Sequence, residues 1–428
     1  MAIYEIILLI AFRRVPSDSM QDPTQSFIIK TFKRYYSKES IEIPDRLSRR
    51  EFGFMFFDRT FVLRHIGFKT KPELKSYLAE NAPAHVYHSS AYYQNPNAQT
   101  MVEKKWMGAD LVFDLDADHL KNAAELTYPE MLEQVKKQIK RLLDEFITGD
   151  LGFDPEKLKI VFSGGRGYHV HVLDPRVLGL GSHERREIVD YITGIDLDFD
   201  WVFPSKAFEA KQFAQRTTTI ERREMPDKKS GGWKKRMTDG IDRFLTDLEA
   251  LGEDETVRKY SNLKDDESSR AIGEKTIRGM YQELFERRGS SRGVDRMRGE
   301  RNFEVFSKQT YLNAFLRLVE DLLKVSLVGE TDEPVTSDIK RLIRLPSSLH
   351  GKTGLRVTTM TRDGLDEFDP LRDAVPALLT DKAIKVVSKA PIDICLRGER
   401  IRIPEGENEV PEFAALFLVC KKMAEIPQ

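Results

Sequence analysis

The stretch Val112-Phe113-Asp114-Leu115-Asp116-Ala117-Asp118 alternates apolar residues with carboxylates directly behind a β-type run. Side chains alternate across a strand, so Asp114 and Asp116 share one face, and Asp118 joins them if the strand persists. Carboxylates held this close repel one another and call for a positive partner. Two acids at i and i+2 form an oxygen-rich site of the kind that Mg²⁺ or Mn²⁺ prefers. A solvated acidic strand end is the bland alternative, because so short a pattern recurs by chance. A calcium loop with Asp114, Asp116, Asp118 and Glu125 is disfavoured by His119 where glycine is needed and by a strand in place of the flanking helix.

Working outward, Ser163-Gly164-Gly165-Arg166-Gly167-Tyr168-His169-Val170 reads as strand, glycine-rich turn, strand. Glycines let backbone N–H groups approach phosphate oxygens. Ser163 adds a hydroxyl, Arg166 a guanidinium fork and His169 an imidazole donor. No Gly-Lys-Ser/Thr follows, so this is not a Walker loop. An ordinary tight turn is the alternative. His169 and His171 share a strand face, so a zinc site is a rival reading that needs a further ligand nearby.

The third segment, Asp332 to Val357, offers an acid at Asp332 or Asp338 and basic groups at Lys340, Arg341, Arg344 and Lys352. It ends in a turn carrying His350. By itself it reads as a basic solvated surface. Together the three segments supply the parts for metal-assisted phosphoryl chemistry on a nucleotide. Glu51 and Arg64 bracket an aromatic hairpin over Glu51–Phe68 with its turn at Asp58-Arg59, and Arg64 stands at a strand end where a phosphate can be met.

The 428 residues suffice for two or three domains. Formal net charge is −1, so any polyanion site is a local patch, not a basic coat. The two cysteines, Cys395 and Cys420, exclude a disulfide framework and a cysteine-rich zinc ribbon, and fit a reducing cytoplasm. No apolar run approaches the roughly 18–20 residues that span a bilayer. The opening MAIYEIILLIAF reads as a buried strand or helix, and Met20 offers an alternative start. Apolar spacing predicts helices over KPELKSYLAEN, ended by Pro83, and from about Pro129 to Thr148. The charged stretch after Met225 reads as a helical insertion. The expected organisation is an N-terminal extension (1–26), a first part of the core (27–224), the insertion (225–305) and a second part of the core (306–428).

In their order and spacing these motifs resemble the small, catalytic subunit of archaeal and eukaryotic DNA primases. The likeness runs from about Phe27 to near the C-terminus. It rests on VFDLD, on SGGRGYH, and on Ser348-Leu349-His350 with Asp332 eighteen positions before the histidine; Asp338 is the alternative third acid. The resemblance implies an α/β fold, a primase-polymerase core around a mixed or antiparallel sheet with a helical insertion. It implies primer synthesis from nucleoside triphosphates on single-stranded DNA. Asp114, Asp116 and Asp332 would hold two Mg²⁺ or Mn²⁺ ions. Ser163, Gly164, Arg166 and His169 would bind the triphosphate, with His350 and Lys352 facing them, and Glu51 and Arg64 would line the same site.

The partner implied is the large primase subunit, whose iron–sulfur cluster this chain lacks the cysteines to hold. Such subunits often carry a zinc knuckle between the first two motifs. From Asp118 to Lys159 there is no cysteine and one histidine, His119, so no structural zinc is expected. Rival functions are a metal-dependent phosphohydrolase using His169 and His171, a non-catalytic nucleic-acid binder, and a repair-type primase-polymerase.

Overall fold

A computed structural model of the chain describes residues 22–120, 123–195, 197–213, 216–227, 229–261, 271–289, 291–327 and 333–428. It is a mixture of helices and antiparallel sheet. The opening MAIYEIILLIAF lies outside the described residues, as does Asp332. No helix among them is long and apolar enough to cross a membrane.

The chain forms two compact units. One comprises Met1–Lys136, Pro155–Ser182 and Pro334–Gln428; the other comprises Lys137–Asp154 and His183–Glu333. The boundaries expected at 225 and 305 both fall inside the second unit, which takes in more of the chain than the charged stretch alone. Long-range packing defines these units, and a change of composition does not report it.

In the first unit, helix α1 (Pro23–Lys38) starts at Asp22, whose side chain accepts from Thr24 N at 3.0 Å. The aromatic hairpin follows as β1 (Phe52–Met55) and β2 (Leu63–Ile66), then α2 (Lys71–Asn81), capped by Thr70, and β3 (His85–Ser89). The acidic strand is β4 (Leu111–Asp116). Helix α3 (Tyr128–Arg141) begins in this unit, and from Lys137 the chain belongs to the second unit, where the helix passes into a π-helical stretch over Leu142–Asp150. Strands β5 (Leu158–Phe162) and β6 (Gly167–Val172) flank the glycine-rich turn. Strands β7 (Leu342–Arg344) and β8 (Thr358–Met360) flank the His350 turn, and α4 (Glu412–Cys420) lies near the end.

These strands make two four-stranded antiparallel sheets, ordered β7-β3-β1-β2 and β8-β5-β6-β4. In the second sheet the pleat sorts residues cleanly. Leu111, Phe113 and Leu115 stand opposite Val172, Val170 and Tyr168, all buried on one face. Phe368 packs there, 5.7 Å from Phe162 and 6.5 Å from Tyr168 between ring centroids. The other face carries Asp114 opposite His169, Val112 opposite His171, and Asp116 opposite Gly167. A two-residue period thus puts the hydrophobic core on one side of the sheet and the chemistry on the other.

The second unit is mainly helical, with helices over Gly232–Leu251, Glu274–Phe285 and Gln309–Leu327 and a hairpin of Ser205–Phe213 with Arg216–Arg223. Ile241, Phe244, Leu248, Met280, Leu284 and Phe315 form its core.

Candidate active site

The acidic strand ends at Asp116. A 3₁₀ turn over Ala117–His119 follows, with Asp116 accepting from Asp118 N at 3.1 Å. Asp118 therefore leaves the strand face that alternation would have given it. The calcium-loop reading fails with this geometry, because the flank is a strand. Asp114 and Asp116 remain side by side, their side chains 23% and 34% exposed. Two partly exposed carboxylates on one face are a donor set that suits a hard divalent cation.

Two arginines answer the crowded charge. Arg166 places its guanidinium 2.6 Å from the Asp118 carboxylate and 3.9 Å from Asp116. Arg344, on β7, is half-buried, and loss of water around it disfavours its charged form; Tyr87, Tyr36, Asp114 and Asp116 act in the opposite sense. His169 Nε2 lies 3.4 Å from Asp114 Oδ1. Burial, and then the charge of Arg344, lowers the His169 pKa to about 4. At neutral pH this is therefore a neutral ring beside a carboxylate. A proton on Nε2 faces Asp114 and leaves the buried Nδ1, which has no hydrogen-bond partner among the described residues, as a bare acceptor.

The glycine-rich turn is tied from three sides. Ser163 Oγ accepts from Gly165 N and Gly167 N, both at 3.3 Å, which leaves its own proton to donate. Thr353 Oγ1 donates to Gly164 O at 2.6 Å, and the Tyr128 hydroxyl donates to Gly165 O. Gly164 has φ +77°, and a β-carbon there would stand 2.8 Å from that of His350. Turn and His350 are thus in contact.

The His350 turn is held by α1. Tyr35 donates to Ser347 O at 2.8 Å, and Leu349 N donates to the Tyr36 hydroxyl at 3.2 Å. His350 lies edge-on to His85, with ring centroids 4.8 Å apart. His85 Nδ1 accepts from Gly351 N at 3.2 Å and from Arg344, so its proton sits on Nε2. Burial and the Arg344 charge hold His350 well below its usual range, with Lys352 and Lys421 adding to the effect. Lys352 itself is exposed.

Glu51 and Arg64 are brought to each other, and their further partners are Lys104 and His65. Glu51 is wholly buried. It accepts from Arg64 Nε at 3.1 Å, from His65 N at 3.0 Å and from Lys104 Nζ at 2.5 Å. Burial raises its pKa, but the Arg64 and Lys104 bonds outweigh this and hold it low. Asp338, the alternative third acid, acts electrostatically on Tyr93, as do Glu51 and Arg64. Its Oδ1 accepts from Lys340 N at 2.8 Å, so it caps a turn.

His171 packs against His88 and His169, with centroids 6.3 Å away in each case. Among the described residues no group of three His, Cys, Asp or Glu side chains is placed to hold a metal ion, so the zinc reading of His169 and His171 finds no third ligand there. The acid trio escapes that test, since Asp332 is outside the described residues.

Sequence reasoning counted Arg344 among the basic groups of the third segment without giving it a place in the site, and passed over Lys104, Tyr128 and Thr353. Arg344 shares a strand face with Leu342, which is the one signal that could have moved it inward. Nothing local marks the other three.

A family model described as DNA primase small subunit matches residues 113–362. Among curated proteins, the DNA primase small subunit of Methanocella arvoryzae is 40% identical over 412 residues, 95% of this chain and 99% of its own length. That of Methanothrix thermoacetophila is 39% identical, covering 95% of this chain and 100% of its own length. That of Methanosarcina acetivorans is 40% identical, covering 95% and 97%.

Proposed function

The chain belongs to the DNA primase small-subunit family, and on that premise we propose that it joins nucleoside triphosphates into short primers on a single-stranded DNA template. The observation that carries this reading is the β4–β6 pairing. It sets Asp114 against His169 and brings Arg166 of the glycine-rich turn onto the acid cluster. We read the two antiparallel sheets as a catalytic core of the primase-polymerase type.

Asp114 and Asp116, with Asp332 as third acid, are the proposed ligands of two Mg²⁺ or Mn²⁺ ions. Bound there, such ions would supply acidification of the primer 3′-hydroxyl and charge neutralisation at the leaving pyrophosphate. His169 orients the Asp114 carboxylate. Ser163 offers its free hydroxyl proton to a phosphate oxygen, beside Gly164. Arg166 exchanges its carboxylate contacts for the triphosphate. His350 and Lys352 approach from the facing turn. Glu51 holds Arg64 in one orientation at the edge of the first sheet. Template is held through its backbone, so binding weakens with salt. The proposed partner is the large primase subunit, and the proposed place of work is the cytoplasm.

The test is primer synthesis by the purified chain, with and without the large subunit, on single-stranded DNA with Mg²⁺ or Mn²⁺. Wild type yields template-dependent oligonucleotides, while Asp114→Ala and Asp116→Ala yield none and keep the wild-type circular dichroism spectrum. Phosphate release without oligomer would replace this reading with a phosphohydrolase.

A further inference from the structure

Helix α4 backs both loops of the site. Phe417 lies 6.1 Å from the Tyr128 ring, and Tyr128 in turn holds the Gly165 carbonyl. A β-carbon on Gly354 would meet Leu416 at 2.8 Å and Cys420 Sγ at 3.7 Å, so the same helix also supports the His350 turn. The residue that ends this helix is Lys421.

Lys421 Nζ stands 4.2 Å from the centroid of the Tyr128 ring. It is half-buried, and it has no carboxylate partner among the described residues. Its charge reaches His350 together with that of Lys352, and the charge of Arg166 reaches it in turn. Burial, then Arg166, pushes its pKa down. Two local effects favour a lysine here, the ring face and the end of a helix. Neither removes the conflict between the Lys421 and Arg166 charges. A charge that its surroundings oppose, on the ring that holds Gly165 and within reach of the Arg166 charge, is what a polyanion would relieve.

We propose that Lys421 is a further binding residue for the triphosphate of the nucleotide held at the glycine-rich turn, presented by the C-terminal helix through the Tyr128 ring. The proposal rests on the site reading above. It assigns to the last helix a part in nucleotide recognition, beyond packing.

The test compares wild type with Lys421→Met, which keeps an unbranched stem against Tyr128, and with Lys421→Arg, which keeps the charge. Affinities for a nucleoside triphosphate and for the unphosphorylated nucleoside are measured on the full chain, with KM and template Kd beside them. Lys421→Met is expected to weaken triphosphate binding and raise KM about tenfold. Nucleoside and template binding stay unchanged, and Lys421→Arg recovers most of the loss. The triphosphate-to-nucleoside ratio is insensitive to the folded fraction, so a variant that is partly unfolded still reports. An unchanged ratio overturns the proposal. Weakened template binding with an unchanged ratio also overturns it, and assigns Lys421 to the DNA backbone. Wild type that binds triphosphate without making primers would sink the catalytic reading and leave the Lys421 ratio to be judged alone.

Discussion

Arg50 and Asp110 form an ion pair with side chains only 2% and 3% exposed, four residues before the first acid of the site. Arg50 Nη2 meets Asp110 Oδ2 at 2.7 Å. The same guanidinium donates to Asp45 O, Ser89 O, Ser90 O and the Tyr92 hydroxyl, which itself donates to Asp110 Oδ1. This network fixes the end of β3 and the start of β4 to one point. Buried pairs add little net stability, but losing one partner strands the other. Asp110→Ala should therefore cost about 3–5 kcal/mol in urea unfolding. A loss below about 1 kcal/mol, the scale of an exposed pair, would show that the guanidinium finds water or another acceptor.

Gly167 faces Asp116 across the β4–β6 ladder. A β-carbon there would collide with the Leu115 carbonyl and sit 3.1 Å from Asp116 Cα. Both are backbone atoms, so the ladder itself must open. Gly167→Ala should cost about 1–3 kcal/mol as an overpacking change and move Asp116 off the face it shares with Asp114. Primer synthesis should fall by more than the folded fraction does. Wild-type activity per folded molecule would mean that the acids tolerate a displaced strand.

Among the described residues five histidines, His85, His88, His169, His171 and His350, are buried, and each has its pKa pushed down chiefly by burial. His169 falls to about 4 and His85 to about 2. In the unfolded chain they titrate near 6.5. The folded pKa lies below the unfolded one, so stability is complete above that value and is lost as pH falls and the unfolded chain takes up protons. Each histidine contributes about 1.4 kcal/mol per pH unit below 6.5. Acid unfolding should begin between about pH 6 and 5, above the carboxylate range. A circular dichroism titration flat down to pH 4.5 would contradict this.

Glu51→Gln removes the carboxylate that Lys104 and Arg64 share. Lys104 is then a buried ammonium with an amide for a partner, while Arg64, whose side chain is 41% exposed, is free to turn to water. We expect about 2–4 kcal/mol of destabilisation, dominated by Lys104. The double change Glu51→Gln with Lys104→Met should regain much of it, measured as a thermal double-mutant cycle. Independent, additive losses would show that the two side chains do not act as a pair.

Much of the fold was legible where the pattern is local. The alternation in Val112–Asp116, the glycine-rich turn between β5 and β6, the hairpin of β1 and β2, and the helix ended before Pro83 all carry their own periods and breakers. The helix expected to Thr148 is present, but it changes to π-helical turns from Leu142, which an apolar stripe does not announce. Pairings that span the chain were not legible. Strand β7 joins β3 and β8 joins β5 across more than 190 residues of sequence, and no short window holds both partners. Within the site, Asp114, Asp116, Ser163, Arg166, His169 and His350 declared themselves by residue type. Arg344 did not, because a basic residue in a basic stretch reads as surface until its burial is known. Lys104 escaped for the same reason.

Those late pairings impose an order in time on the molecule's birth. A ribosome at about 5–20 residues per second releases β5 tens of seconds before β8, and β3 before β7. Through that interval each sheet waits with an open edge, the arrangement most prone to pair with a stranger. Helix α4 emerges later still. A nascent chain therefore holds its acids long before it can brace the loops around them, and a product cut short before β7 would be left with both edges open.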